Sequence, residues 1–232
     1  MVRVQVMRVD SVAFSLVGQA ACVSGEAAAS AIPPMLRRRA GALGKMALQV
    51  ASEALAGHTG IPAVFCSRHG EVARAIALLD DLAAATPLSP TAFGLSVHNA
   101  IAGLLSIARS ERSNQIALSA GAATIEHGVI EACSLLADGA PLVLLVAYDA
   151  PLPDGLRQFE DCAEAPFAFA WLMAPAGAAV DSLRLAWQAD ANDDVDLSAL
   201  PGGLAALRFH ASGAARMERR ANGRRWTWSR NA

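Results

Sequence analysis

Apolar and polar positions follow two different periods along the chain, and together they predict alternating strands and helices. Strands are predicted at residues 2–16, 61–67, 115–119, 142–147, 167–173, 183–188 and 224–228. Helices are predicted at residues 35–56, 72–85, 100–109 and 125–138. The segment 142–147 is continuously apolar, as expected of a strand that is buried on both faces. The alternation predicts an α/β fold in which helices cover the faces of a sheet.

Residues that favour turns mark the connections between these elements. Small residues predict a loop at 18–30, and a Pro-Ala-Gly turn at 175–177 predicts that the strands before and after it form a pair. Asn222 and Gly223 predict a second tight turn, followed by an edge strand. The acidic stretch 191–196 lacks the glycine and glutamate spacing of a calcium-binding loop, so no metal site is predicted.

The stretch 117–124 consists mostly of small residues and connects a predicted strand to a predicted helix. Ile125, Val129, Cys133 and Leu136 recur at helical spacing and predict one buried face of that helix. Small residues let the backbone double back tightly, and many acyl-transferring enzymes hold their nucleophile at such a turn. There the free N–H groups of the helix stabilise negative charge. This turn is therefore the first place to look for a nucleophile.

The side chains of the turn offer little for catalysis. Ala120, Gly121 and Ala122 carry no group that could act as a nucleophile or a base. Ser119 precedes them and His127 follows within the helix, which leaves a small acyl hydrolase or transferase using these two residues as an alternative. The sequence places no acid to orient His127, so a structural role is favoured for both residues.

Composition narrows the possible functions. Hydrophobic residues make up 54% of the 232 residues and charged residues 17%, which favours one large core over disorder. The net charge of −2 argues against a nucleic-acid or membrane-surface partner, and no stretch is long and apolar enough for a membrane span. The four cysteines form no CxxC pair, and we expect them to be buried, reduced and without a cofactor. A cytoplasmic location is predicted.

A polar segment, Ser96-Val97-His98-Asn99, lies between Phe93 and an apolar helix. The simpler interpretation is that Ser96 or Asn99 caps that helix. The functional interpretation is a polar contact at a buried interface close to the turn at 117–124.

Five stretches, taken in order, resemble the N-terminal half of a β-ketoacyl synthase of the thiolase-like fold. They are Ile32-Pro33-Pro34-Met35-Leu36-Arg37-Arg38-Arg39 with Lys45-Met46-Ala47, Ser89-Pro90-Thr91-Ala92-Phe93, Ser96-Val97-His98-Asn99-Ala100, Ser119-Ala120-Gly121, and Val143-Leu144-Leu145-Val146-Ala147-Tyr148-Asp149. The resemblance covers roughly residues 1–155. Within that family the chain looks most similar to the short chain length factors of aryl polyene pathways.

The resemblance implies half of a ketosynthase fold at 1–155, a mixed sheet covered by helices, and a short β-rich C-terminal extension at 156–232 that packs on the same domain. In an active ketosynthase a cysteine in the turn accepts the acyl chain, and two histidines from the second half complete the site. Here the cysteine position falls on Gly121 or Ala122, and His210 is the only histidine beyond His127. The resemblance therefore implies a catalytically inactive subunit.

The resemblance also implies a partner. A chain of this kind is expected to form a heterodimer with an active β-ketoacyl synthase and to shape its acyl tunnel. The expected interface or tunnel residues are Phe93, Leu95, Ser96, Val97, His98 and Asn99. Seven arginines and one acid, Glu218, follow Leu207, and this basic tail could attract an acyl carrier protein, although a charged edge strand is the favoured interpretation. A homodimeric acyl-binding scaffold is a further alternative.

Overall fold

A computed structural model describes residues 11–23, 27–179, 181–190 and 199–230. The described residues form eight strands: β1 Ser11–Cys22, β2 Ala63–Cys66, β3 Gln115–Leu118, β4 Val143–Asp149, β5 Phe167–Pro175, β6 Ser182–Ala189, β7 Arg216–Ala221 and β8 Arg224–Arg230. The helices are α1 Pro34–Arg37, α2 Ala42–Leu55, α3 Val72–Ala83, α4 Pro90–Gly94, α5 Ala100–Arg109, α6 Thr124–Ala137 and α7 Gly202–Ser212. Short 3₁₀ turns occupy Gly121–Ala123 and Asp154–Phe159. The predicted strand start at 2–10 and the predicted acidic loop at 191–196 lie outside the described residues.

All eight strands belong to one mixed sheet in the order β3-β2-β4-β5-β1-β6-β8-β7. The pairs β2–β3 and β2–β4 are parallel, as expected of strands joined through helices, and the other pairs are antiparallel. β1 is shared between two parts of the sheet, because it pairs with β5 from Phe14 to Cys22 and with β6 only from Ser11 to Ser15. The α/β fold class predicted from the sequence is confirmed.

Two cores lie on opposite faces of the sheet. On one face α2 and α5 cover the apolar side chains of β2, β4 and β5. On the other face α6 and α7 pack together against the remaining side chains of the same strands. β8 joins this second core through the buried Trp226 and Trp228, and the second of these donates a hydrogen bond to Glu126 of α6. The C-terminal strand β8 therefore contributes directly to the core around α6.

Four predictions about elements are wrong for identifiable reasons. The predicted loop at 18–30 is strand up to Cys22, because β5 supplies a pairing partner that the small residues alone do not reveal. The predicted helix 35–56 is divided into α1 and α2, since Gly41 adopts an extended conformation between them. The strands on either side of the turn at 175–177 do not pair with each other, because β1 lies between them.

The fourth correction concerns the end of the chain. The predicted edge strand, now β8, lies inside the sheet, and the edge is β7, a strand that the sequence did not predict. The turn at Asn222 and Gly223 that joins them is confirmed, with positive φ angles of 53° and 67°. Helix α7 was not predicted either, because its two leading glycines have a low helix propensity. In the folded chain the buried side chains of Ala206 and Phe209 stabilise this helix by tertiary packing.

Candidate functional site

The predicted turn between strand and helix is present, and we call its four residues Ser119, Ala120, Gly121 and Ala122 the elbow. β3 ends at Leu118 and α6 begins at Thr124, so the elbow reverses the chain within a few residues. Gly121 has a φ of 53°, a left-handed conformation that favours glycine. Ser119 and Gly121 are exposed, while Ala120 and Ala122 are half-buried.

The elbow backbone is held first by its own neighbours. The Thr124 hydroxyl accepts a hydrogen bond from the Ala120 N–H at 3.0 Å and donates one to the Gly121 carbonyl at 2.7 Å. The Ser119 hydroxyl donates to the Arg68 carbonyl at 2.9 Å. The Ser119 hydroxyl is therefore bound to backbone and not to a base.

Residues from the β7–β8 hairpin hold the elbow from the other end of the chain. Asn222 Nδ2 donates to the Ala120 carbonyl at 2.8 Å, and both terminal nitrogens of Arg219 donate to the Ala122 carbonyl at 3.1 Å. Arg219 Nη1 also binds both carboxylate oxygens of Glu126, at 2.8 and 2.9 Å. Glu126 is fully buried, so this ion pair neutralises a charge inside the core. No local pattern predicts these contacts, because the partners are about a hundred residues apart in the chain.

His127 does not form a catalytic pair with Ser119. Its Nδ1 donates to the Ala123 carbonyl at 2.9 Å, and its ring packs edge-to-face on Trp226 with centroids 5.4 Å apart. In the part of the chain that the structure describes, no carboxylate accepts a hydrogen bond from His127, and Glu131 does not pair with it. The same part contains no group of three His, Cys, Asp or Glu side chains that could hold a metal ion.

A polar network that was not predicted from the sequence surrounds the end of β2. One carboxylate oxygen of Asp149 accepts hydrogen bonds from the Ser67 hydroxyl at 2.7 Å, the Arg68 N–H at 2.9 Å and the His69 N–H at 3.4 Å. Burial raises the pKa of Asp149, and these hydrogen bonds oppose that shift. The Arg68 side chain, itself buried, forms an ion pair with Asp161. A polar residue after each of two neighbouring parallel strands was the signal that could have revealed this network.

The predicted polar segment reaches the same network. His98 Nε2 lies 3.0 Å from the Ser67 carbonyl and donates to it. Because the next residue, Arg68, binds Ser119, the structure brings His98 into the neighbourhood of the elbow. The other predicted interface residues are more peripheral: Phe93, Val97 and Asn99 are exposed, and Leu95 and Ser96 are half-buried.

The expected helix caps are not formed by this segment. Asn99 occupies the N-cap of α5 but makes no side-chain cap hydrogen bond. The Ser96 hydroxyl donates to the Phe93 carbonyl at 2.8 Å and is not available to α5.

None of the four cysteines belongs to the elbow, although Cys66 lines the small cavity beside it. Cys66 and Cys133 are buried, as predicted, and burial raises the pKa of both thiols, that of Cys133 to about 12. Cys22 and Cys162 are only half-buried, which corrects the prediction for these two. Cys162 accepts a hydrogen bond from Arg68 Nη1, and its pKa is raised to about 11, mainly by burial.

Internal ion pairs occupy most of the basic tail. The pairs are Arg216–Glu218, Arg219–Glu126, Arg220–Asp190, Arg225–Asp190 and Arg230–Asp181. Five of the seven arginines after Leu207 are therefore paired within the chain, which reduces the charge available to an external partner.

A small cavity lies beside the elbow. Its lining includes Arg68, Ala122, Thr124, Asp149 and Gly202, and its volume is about 10 Å³. That volume holds about one water molecule and is too small for an acyl chain. Across the described residues, no helix combines the length and the apolar character needed to cross a bilayer.

Comparisons with known proteins agree with this geometry. A family model for the N-terminal domain of β-ketoacyl synthase matches residues 16–229. The solved complex of the ketosynthase ApeO with its chain length factor ApeC from Xenorhabdus doucetiae contains a chain that superposes with a TM-score of 0.81 and 24% identity, over 94% of this chain and 100% of that chain. A search of curated protein sequences gave no match.

Two further structures share the fold at lower similarity. The ishigamide ketosynthase/chain length factor superposes with a TM-score of 0.62 and 16% identity, over 79% of this chain and 69% of that chain. A β-ketoacyl synthase from Burkholderia phymatum gives a TM-score of 0.56 and 13% identity, over 69% of this chain and 50% of that chain. Since the family model spans nearly all of the chain and the solved structures share its sheet and helices, this chain belongs to the family of β-ketoacyl synthase N-terminal domains and has the thiolase-like fold.

Proposed function

We propose that the chain is a non-catalytic subunit of the chain length factor type, which pairs with an active β-ketoacyl synthase and helps to shape its acyl tunnel. The observation that carries the proposal is the elbow. It keeps the backbone of a nucleophile turn, but Gly121 and Ala122 supply no nucleophile and the Ser119 hydroxyl is bound to a backbone carbonyl. The adjoining cavity has room for one water molecule, so an acyl chain has to be held elsewhere.

The structural comparisons support the same assignment. This chain covers the whole of a chain in the complex described as a ketosynthase with its chain length factor, but only half of the Burkholderia synthase. A subunit that matches one chain of that complex over its full length fits a role beside a synthase better than the role of the synthase. From the sequence resemblance to chain length factors we propose an aryl polyene or related polyketide or fatty-acid pathway in the cytoplasm, with an acyl carrier protein as a second partner.

An open strand edge supports pairing with another chain. β3 pairs with β2 on one side, and no described strand pairs with its other side. Its four residues include neither proline nor a charged side chain, the usual means by which natural proteins protect an edge. We propose that this edge faces the partner.

The helices α3 and α4 provide a second surface for the partner. Neither helix has a buried residue, and among the described elements α3 contacts only α4 extensively. Leu79, Leu82 and Phe93 expose 58%, 61% and 63% of their surface. We call these three side chains the apolar flap. Exposed apolar side chains grouped on one hairpin are typical of a protein–protein interface.

Co-expression with a tagged β-ketoacyl synthase encoded next to this chain tests the proposal. We expect the two chains to co-purify, and we expect Leu82→Glu combined with Phe93→Glu to abolish co-purification, because charged side chains in a desolvated interface cost several kcal/mol, about 2–5 per unpaired charge. Phe159→Glu is the control, since Phe159 is exposed to the same 63% outside the flap. A wild-type chain that stays monomeric beside such a synthase would refute the proposal.

The same open edge fits a second copy of this chain, which keeps the homodimeric acyl-binding scaffold as an alternative. Native mass spectrometry of the isolated chain separates the two assemblies, because a scaffold forms dimers without a synthase and retains acyl ligands. The contacts of Ser119 and His127 do not favour the hydrolase alternative. Thioester hydrolysis that disappears in Ser119→Ala would revive it.

A further inference from the structure

The backbone of the elbow depends on the β7–β8 hairpin. Two alternate elbow carbonyls, those of Ala120 and Ala122, accept hydrogen bonds from Asn222 and Arg219. The elbow side chains themselves are a hydroxyl, a hydrogen and two methyl groups, and the hydroxyl alone makes a polar contact. Fixing such a turn requires groups from outside it, because small residues impose little conformational restraint.

The two hairpin residues suit this task in different ways. Arg219 is anchored by the fully buried Glu126, so its planar guanidinium is held in place before it reaches Ala122. Asn222 is exposed and occupies the turn itself with a φ of 53°, and its amide donates to the Ala120 carbonyl. A Cβ added to Gly121 would lie 3.7 Å from both amide atoms of Asn222, so this side chain packs directly against the elbow.

We propose that Arg219 and Asn222 are positioning residues, through which the C-terminal hairpin sets the shape of the exposed elbow surface that faces the partner. This inference rests on the proposed function, since it assigns the elbow surface to the synthase interface. Ser119, Gly121 and Asn222 are all exposed, so the elbow and the hairpin turn form one continuous surface. A change in the hairpin is therefore transmitted to that surface without any change in an elbow side chain.

Two variants separate positioning from stability. Asn222→Gly keeps the tight turn, because glycine accepts a positive φ, and removes the hydrogen bond to Ala120. Arg219→Lys keeps a cation for Glu126 but removes the planar guanidinium, which donates to Glu126 and to the Ala122 carbonyl at the same time. Arg224→Ala is the matched control, because Arg224 is exposed on the same hairpin and, among the described residues, forms no hydrogen bond or ion pair with the elbow.

Hydrogen exchange of the isolated full chain measures the positioning directly. The N–H groups of Ala120 and Ala123 are hydrogen-bonded within the turn, so their exchange reports its opening. We expect about tenfold faster exchange at these two amides in Asn222→Gly and Arg219→Lys, as the loss of one hydrogen bond predicts. Exchange in β2 and β4 should not change. Unchanged exchange at Ala120 and Ala123 in both variants would overturn the inference.

The lengths of the products made by the synthase complex are a second measurement. They should not change if Arg219 and Asn222 only stabilise the fold. We expect both variants to form the complex and to broaden the distribution of product lengths, while Arg224→Ala gives the wild-type distribution. Faster elbow exchange with an unchanged product distribution would overturn the assignment of the elbow to the interface. Failure of the wild-type chain to bind the synthase would refute the proposed function, whereas the exchange result would still decide whether the hairpin positions the elbow.

Discussion

Asp149 shows how one buried carboxylate organises the loop beside the elbow. It ends β4, a strand of seven buried residues, and its Oδ1 accepts hydrogen bonds from Ser67, Arg68 and His69. Ser67 in turn accepts the Gly70 N–H at 2.8 Å, so the whole turn after β2 is built around this one side chain. The loop that carries Arg68 to Ser119 therefore depends on a residue at the end of β4.

Substitution of Asp149 tests this dependence. Asp149→Ala leaves three buried or half-buried donors without an acceptor and should lower the free energy of unfolding by about 1–3 kcal/mol per unsatisfied group at most. Asp149→Asn retains a carbonyl oxygen for the same donors and is the matched control, with a much smaller loss expected. Urea denaturation at pH 7 gives both values. Equal losses in the two variants would show that the charge of Asp149 matters more than its hydrogen bonds.

His210 provides a pH-dependent contribution to stability. Burial lowers its pKa below the usual 6.5; Asp181 opposes this shift and Arg230 reinforces it. A histidine that resists protonation in the folded state stabilises the fold fully above pH 6.5, and this contribution is lost as the pH falls from 6.5 through the lowered pKa. We expect the wild-type chain to lose more stability than His210→Gln between pH 7.5 and pH 5. Parallel pH profiles of the two chains, measured by denaturant unfolding, would contradict the assignment.

At the scale of elements, a glycine allows α6 to pack closely against the sheet. A Cβ added to Gly128 would lie 2.9 Å from Cys66 Sγ and 3.2 Å from a methyl of Leu145, so any side chain there pushes α6 away from β2 and β4. The close approach is what places the start of α6 next to the end of β3. The helix that follows the elbow is thus positioned by packing and not by its own propensity.

Alanine substitutions separate these two effects. Gly128→Ala should destabilise the fold by about 1–3 kcal/mol through overpacking, although alanine favours helix. Gly103→Ala in α5 is the control, because an added Cβ meets no atom within 4 Å, and it should stabilise the fold by about 0.5–1 kcal/mol. Thermal and urea unfolding measure both. A stabilising Gly128→Ala would mean that α6 can shift without cost.

Local patterns predicted most of these elements, because helices α3, α5 and α6 and strands β2, β3 and β4 carry their own periodicity. Ile125, Val129, Cys133 and Leu136 are buried on one face of α6, as their spacing predicts. The failures lie where a distant segment decides: β1 extends because β5 pairs with it, and α7 forms because the sheet packs on it. For the same reason the elbow was predicted and its contacts with Arg219 and Asn222 were not.

At the scale of the whole molecule, β1 comes from the first part of the chain but lies in the sheet between two strands from the last part. β5 and β6 lie on either side of it, so the division into 1–155 and 156–232 stays a prediction that folding experiments can examine. A fragment of residues 1–155 lacks β5, the strand that lies between β4 and β1 in the sheet.

Truncation after residue 155 tests the interdependence of the two parts. We expect the 1–155 fragment to be insoluble or to lack cooperative unfolding, because β1 then loses both neighbouring strands. Co-expression with 156–232 is the control and should restore solubility by supplying β5 and β6. Circular dichroism with urea unfolding measures the outcome. A soluble 1–155 fragment with a sharp transition would establish it as an independent domain.

The position of β1 between two late strands has a consequence for biosynthesis. The hydroxyls of Ser15 and Ser182 meet at 2.9 Å although 167 residues separate them in the chain. At ribosomal speeds of about 5–20 residues per second, β1 waits roughly 7–30 s with both edges unoccupied before β5 emerges, and β6 follows later still. During that interval the nascent chain is a substrate for chaperones and for misassociation with any other unpaired strand. The order of synthesis therefore makes the first strand of the protein among the last to reach its final place.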